Sequence, residues 1–371
     1  MSDSTLRLVR AQQFELDPGP LPTPFCDATM GPFTHWKVNW LQLTADDGVV
    51  GQAPGGLHPL ACPLLLDGQA RDLDQWWHDL WWALRNSGHR NGATAGTLFA
   101  IDMALRDIRA QRAGQPWHRF NGAQRDVVPV YGSGGGTNLD RDQLTAQMRQ
   151  FVEAGFTTVK MKVATDFGRR PDEDVQRVKA VREAIGPDVQ LAVDANQAWS
   201  AVDALRFADR IAGCDIAWFE EPVHSADRHA IAAVARQCPF PVAMGESENH
   251  WLGFRDLVEC GVQHLQPPPH GLPGLARWSE AVAFAEQADR TWSSGGTSPF
   301  TAMDVATRSG GMVEYLAPII GHLCTCFADC PRIEQGMIRL PADRPGLPVR
   351  VDLEDLHEKG AMRVRADHTA P

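Results

Sequence analysis

From Asp126 onward, short apolar runs alternate with amphipathic stretches, one pair every ~25–30 residues. The runs VVPVYGS, TTVKMKV, VQLAVDAN, IAWFEEP, FPVAMGE and HLQP have the length and apolarity of buried strands. Between them, residues 139–154, 173–185, 201–211, 228–238, 254–260 and 276–287 carry apolar residues at helical spacing. Strands separated by whole helices pair in parallel, so the pattern admits a parallel βα barrel or a doubly wound sheet. The first ~125 residues differ: VNWLQLTADDGVVGQ reads as a hairpin turning at Asp46-Asp47-Gly48, and residues 72–114 read as helices, giving an α+β unit. From Arg332 the rhythm is lost in a run rich in turn residues.

Chemistry gathers where these strands end, the end that carries function in βα folds. Lys160 and Lys162, two apart on TTVKMKV, face the same side. Asp194, Glu220 and Glu246 close the next three strands at intervals of 26 residues. In a barrel those tips are neighbours, and three converging carboxylates repel unless a cation sits among them. All-oxygen ligation favours Mg²⁺, one per site. A lysine beside that cation and a second ammonium has a lowered pKa and can act as a base. The set suits removal of a proton α to a carboxylate, with the metal stabilising the enediolate that forms.

The chain resembles the enolase superfamily, in particular its mandelate racemase / muconate lactonizing enzyme branch. The resemblance rests on AIDMALRDIRAQRAGQP, VPVYGSGG, VKMKV, VDANQAW, WFEEPV and RPGLPV, and spans about Ala100 to Val349. It implies an α/β fold: a modified TIM barrel, (β/α)7β, over 126–331, an α+β capping domain over 1–125, and a segment over 332–371 that packs back on the cap. It also implies that Asp194, Glu220 and Glu246 ligate the metal, that Lys162 is the base with Lys160 assisting by charge, and that Glu314 in MVEY stands near the enolate oxygen. The cap of such proteins supplies a loop over the substrate, here Pro20–Trp36, which makes His35 and Trp36 candidates for substrate binding with Asn196, His270 and Ser294. The family also suggests a homo-oligomer.

The departures from that pattern are specific. The branch's racemases and many of its acid-sugar dehydratases carry a His-Asp dyad on the second face. Here Gln266-Pro267 is followed by Pro268, and TWSSGGTSPF holds no histidine. PPPHG offers no second-face lysine either. The general acid is therefore open among Lys160, His264, His270 and Ser294. A one-base site suits elimination better than racemisation, so the expected reaction is dehydration of a sugar acid to a 2-keto-3-deoxy acid by a lyase. The alternatives are a racemase, epimerase or cycloisomerase, and a non-catalytic carboxylate-binding homologue.

Composition removes other classes. Hydrophobic residues at 43% and charged residues at 22% exclude general disorder. A net charge of −11 without a polybasic run argues against nucleic acid or a membrane surface as partner. Residues 1–12 lack the apolar core of a signal peptide, and eight scattered cysteines then read as reduced thiols in the cytoplasm. Three motifs have plain readings. YGSGGG lacks the Lys-Ser/Thr of a phosphate loop and is expected to be a strand-end turn. Cys324, Cys326 and Cys330 lack zinc-site spacing and read as buried thiols. Trp76, Trp77, Trp81 and Trp82 are expected to pack a cap helix or a subunit contact. Glu221 is expected to pair with a lysine or cap the next helix rather than bind metal.

Overall fold

The computed structural model describes residues 5–88, 92–296 and 298–370. Strands β1 (Leu8–Leu16), β2 (Pro20–Phe25), β3 (Phe33–His35), β4 (Val38–Ala45) and β5 (Val50–Pro54) open the chain. β4 and β5 form the expected hairpin, with Gly48 at φ +86° in its turn. The helices Leu73–Ala83 and Gly92–Arg112 follow. The first is capped by a reciprocal Asp72–Gln75 box. The second buries an apolar face against β4 and β5.

Among the described residues, eight parallel strands then follow, each joined to the next through helix: β6 (Val127–Gly134), β7 (Thr158–Lys162), β8 (Gln190–Asp194), β9 (Ile216–Glu220), β10 (Val242–Met244), β11 (His264–Leu265), β12 (Thr291–Ser294) and β13 (Met312–Leu316). They are ordered consecutively, and β13 pairs with β6 to close the barrel. This closure decides between the barrel and the open sheet that strand–helix alternation alone allowed. Register does the rest: Lys162 is level with Asp194, and Asp194 with Glu220. The tips thus meet on one rim.

The tail divides between the two halves of the molecule. β14 (Ile333–Glu334) and β15 (Met337–Arg339) form a hairpin that adds antiparallel to β6. The rest returns to the cap: Gly346 bonds with Gln115 and Trp117, Leu347 N donates to Asp107 Oδ1 at 3.0 Å, and β16 (Met362–Thr369) pairs with β1 to make the sheet β16-β1-β4-β5. The tryptophans join cap to barrel. Trp76 is fully buried, Trp77 donates to the Pro273 carbonyl and stacks on Trp81, and Trp81 packs edge-on against Trp251. Arg277 lies over the faces of both Trp77 and Trp251. Trp82 stays half exposed. Cys324 and Cys330 are half-buried free thiols with their sulfurs in contact, and Cys326 is buried. Among the described residues no helix is long and apolar enough to cross a membrane.

Candidate active site

Of the residues at the strand tips, Glu246 and Glu314 line a cavity of about 640 Å³ that lies between cap and barrel. Lys160 is fully buried and ion-paired with Glu220, and its Nζ lies 2.8 Å from Glu314 Oε1 and 3.5 Å from Asp194 Oδ2. Lys162 Nζ lies 2.5 Å from Asp194 Oδ2. Burial alone would pull both lysines down, but Glu220 then Glu314 around Lys160, and Asp194 beside Lys162, outweigh it. Both are held above the ordinary lysine range while the carboxylates lack another counter-ion.

The carboxylates show the opposite imbalance. Burial, then Asp194, pushes Glu220 up to about 8. Glu246 opens onto the cavity but has protein on its other sides; loss of solvent, then Glu314, pushes it up to about 7. Burial would raise Asp194 as well, yet Lys162 and Lys160 hold it down at about 2. Glu314 also ends below the usual range, because Lys160 and then Lys162 overcome its burial. Two ammonium groups cannot compensate this many carboxyls, which is the condition a cation relieves.

Among the described residues, Asp194, Glu220 and Glu246 are the one set of His, Cys, Asp or Glu able to hold a metal, with ligand atoms all within 4.8 Å of one another. An octahedron with bonds of about 2.1 Å is about 4 Å across, so the donors fit Mg²⁺ in number, hardness and size. Neighbours orient them. Trp218 Nε1 and Gln266 Nε2 donate to Glu220 Oε2 at 3.0 and 2.6 Å, and the Asn196 backbone N–H donates to Asp194 Oδ1 at 2.9 Å. Gln266 Oε1 is buried without a partner among the described residues.

Other expected residues separate. Trp36 lines the cavity, whereas His35 lies in a different recess beside Asp17, Gly19 and Leu356. Adjacent residues of extended chain point to opposite sides, so His35 and Trp36 face different recesses. Ser294 is fully buried and donates to the Pro267 carbonyl at 2.7 Å, so its hydroxyl is committed away from the cavity. His264 is sealed inside the barrel, its ring nitrogens 2.8 Å from Thr291 Oγ1 and 2.9 Å from Ser293 Oγ, its ring stacked on Trp218. Burial, then Lys160, pushes it down to about 3, so it carries no proton to give near neutral pH. Asn196 Nδ2 turns to Asp194 at 3.4 Å, and its Oδ1 accepts from Ala28 N of the cap loop at 3.5 Å.

His270 and His58 both line the cavity; of the two, His270 is a candidate from the barrel, and it lines the cavity with Glu246 and Glu314. It lies in the loop after β11, the sixth strand, which stands across the barrel from the second strand, β7, that carries Lys162. Gly296, at φ +121°, lets the ring in: a Cβ there would stand 2.7 Å from His270 Nδ1. Burial lowers the imidazole pKa and Glu314 opposes that. Glu221 takes neither of its expected roles; it accepts from Ser247 Oγ at 2.8 Å and Gln197 Nε2 at 3.0 Å. The YGSGGG glycines serve close packing, since a Cβ on Gly132 would stand 2.6 Å from Phe151. The carbonyls of Gly135 and Gly136 accept from Arg177. Arg177 also bonds the Lys162 carbonyl, and nothing in the sequence marks it for that place.

The enolase C-terminal domain-like family matches residues 143–356. Across 91% of its length the chain is 30% identical to a 3,6-anhydro-alpha-L-galactonate cycloisomerase of Streptomyces coelicolor, covering 95% of that protein. It is 32% identical to an L-talarate/galactarate dehydratase of Salmonella typhimurium, over 77% of this chain and 74% of that one. A racemase from Streptomyces coelicolor A3(2), solved with bound magnesium, superposes with a TM-score of 0.84 at 28% identity, covering 95% of this chain and 99% of that one. With its closed barrel, antiparallel cap and this family match, the chain belongs to the enolase superfamily, in its mandelate racemase / muconate lactonizing enzyme branch.

Proposed function

We propose that the protein removes the proton α to a carboxylate with Lys162 and expels the β-oxygen, dehydrating a sugar acid to a 2-keto-3-deoxy acid. The observation that supports this reading is the carboxylate triad, with Lys162 paired to Asp194 at one end and Glu246 sharing a cavity with His270 at the other. Asp194, Glu220 and Glu246 would hold one Mg²⁺, a Lewis acid that draws off the negative charge developing on the substrate carboxylate. With Asp194 as a ligand, its charge would no longer be free to keep Lys162 protonated. Neutral Lys162 takes the α-proton. Lys160, kept cationic by Glu220 and Glu314, faces the negative charge that builds up. His270, whose charged form Glu314 supports against burial, takes up a proton and gives it to the departing β-hydroxyl, water leaves, and the enol tautomerises to the 2-keto acid. His264 and Ser294 are engaged elsewhere, which leaves His270 for this role.

A second reading shares the chemistry. If the β-oxygen belongs to a ring, the same elimination opens the ring without losing water, and the protein is a cycloisomerase. The 30% identity over nearly the whole of a cycloisomerase supports it. The test incubates the protein with Mg²⁺ and a panel of aldonic and anhydro-aldonic acids and follows 2-keto acid with a carbonyl reagent. His270→Asn should lower kcat and remove one limb of the pH–rate profile. Exchange of the α-proton without keto acid from any acid would move the protein to the racemases.

A further inference from the structure

The walls of the cavity say what kind of acid it holds. Its charged lining residues are Glu246 and Glu314, both at the catalytic end and both acidic. No lysine or arginine lines it among the described residues. The walls away from the triad are built of Trp36, Val38, Leu57, Phe99, Phe300 and Ile320. Asn39, Thr97 and Thr301 also line the cavity, with Gln13 and His58, and the last two are engaged by the protein. Gln13 Nε2 donates to Asn39 Oδ1 at 3.1 Å, and Gln13 Oε1 accepts from Leu57 N at 2.7 Å. His58 Nδ1 accepts from Leu60 N, and its Nε2 meets Ser87 Oγ at 3.3 Å.

We infer that the acid bound here has one carboxylate and an uncharged tail with a continuous apolar face, such as a ring-closed or deoxygenated chain, and that dicarboxylic sugar acids are excluded. This rests on the proposed carboxylate chemistry and names the substrate class of the same site. Among the described residues, a second carboxylate would meet an apolar wall with Glu246 and Glu314 as the charged groups that line the cavity, and no lysine or arginine to pair with. A fully hydroxylated tail would give up its hydrogen bonds to water against side chains that return few. A tail with an apolar face exchanges water for Phe99, Phe300 and Ile320 and gains by it. At about 640 Å³ the cavity has the size that encloses such a ligand as well as its carboxylate end.

Three acids sharing an α-hydroxycarboxylate test this: 3-phenyllactate, gluconate and glucarate, both hands where they exist. Each is titrated calorimetrically into the full chain with and without Mg²⁺. The expected order is phenyllactate at least 10-fold tighter than gluconate, with glucarate weakest. Leu57→Lys, which places a cation on the wall, should tighten glucarate at least 10-fold relative to phenyllactate. Glucarate or gluconate binding the wild type as tightly as phenyllactate would overturn the inference and leave the carboxylate chemistry standing. Absence of Mg²⁺-dependent binding for all three would overturn that chemistry and the inference with it.

Discussion

Arg177→Met should destabilise the protein by about 3–5 kcal/mol at pH 7, the cost of breaking a buried ion pair from one side. Arg177 is buried on the helix Pro171–Ile185, 3.3 Å from Asp174 Oδ1, and donates to the carbonyls of Lys162, Gly135 and Gly136. Burial already pushes Asp174 up and Arg177 down, so neither group has charge compensation to spare. Without the guanidinium, Asp174 can escape by taking a proton. For a carboxyl of ordinary pKa 3.8 that costs about 4 kcal/mol at pH 7 and about 2 kcal/mol at pH 5. The sign follows: the folded pKa in the variant is raised, so the deficit is small at low pH and grows as pH climbs from about 4 toward 7. Urea unfolding at pH 5, 6 and 7 should show the gap from wild type narrowing by up to about 2 kcal/mol at the acid end. Asp174→Asn combined with Arg177→Met should show no such narrowing. A gap below 1 kcal/mol at pH 7, or one that does not change with pH, would refute the reasoning.

Two further outcomes are expected. Mg²⁺ at a hundred times its Kd should add about 2.7 kcal/mol; at ~2.1 cal/mol/K per residue that raises Tm by about 3–4 °C, a shift that a chelator reverses and Glu220→Gln abolishes. A Tm indifferent to Mg²⁺ in the wild type would count against the triad as a metal site. His264, held at about 3 against an ordinary 6.5, contributes stability present above pH 6.5 and lost as pH falls toward 3, about 2 kcal/mol of it by pH 5. Acid unfolding should lose that component in His264→Gln; an imidazole titrating near 6 in the folded wild type would contradict the sealed position between Thr291 and Ser293.

The barrel was legible because its pattern is local. Six of the barrel's strands stand out as apolar runs, β12 and β13 do not, and the carboxylates that end three runs fall at equal intervals. Register then places Lys162, Asp194 and Glu220 side by side, as neighbouring tips require. The second face was not legible, because it depends on the course of a loop. Pro268-Pro269-His270 carries no periodicity, and only the packing of Gly296 shows that the imidazole enters the cavity while His264, six residues earlier, is sealed below it. His35 and Trp36 are neighbours in sequence and contacts of different recesses, a matter of which way one strand end turns. The division of the tail between β6 and β1 is a long-range pairing that turn-rich sequence does not encode. Arg177 is an ordinary helix residue until the barrel closes over it.

The most direct test of the central claim is proton NMR in D₂O, with Mg²⁺ and the aldonic and anhydro-aldonic acids, on the wild type and on Lys162→Ala. The wild type should erase the α-proton signal of a substrate and yield 2-keto acid, and Lys162→Ala should do neither while its Tm still responds to Mg²⁺. Turnover surviving in Lys162→Ala would contradict the account, because the proton would then be leaving to some other base.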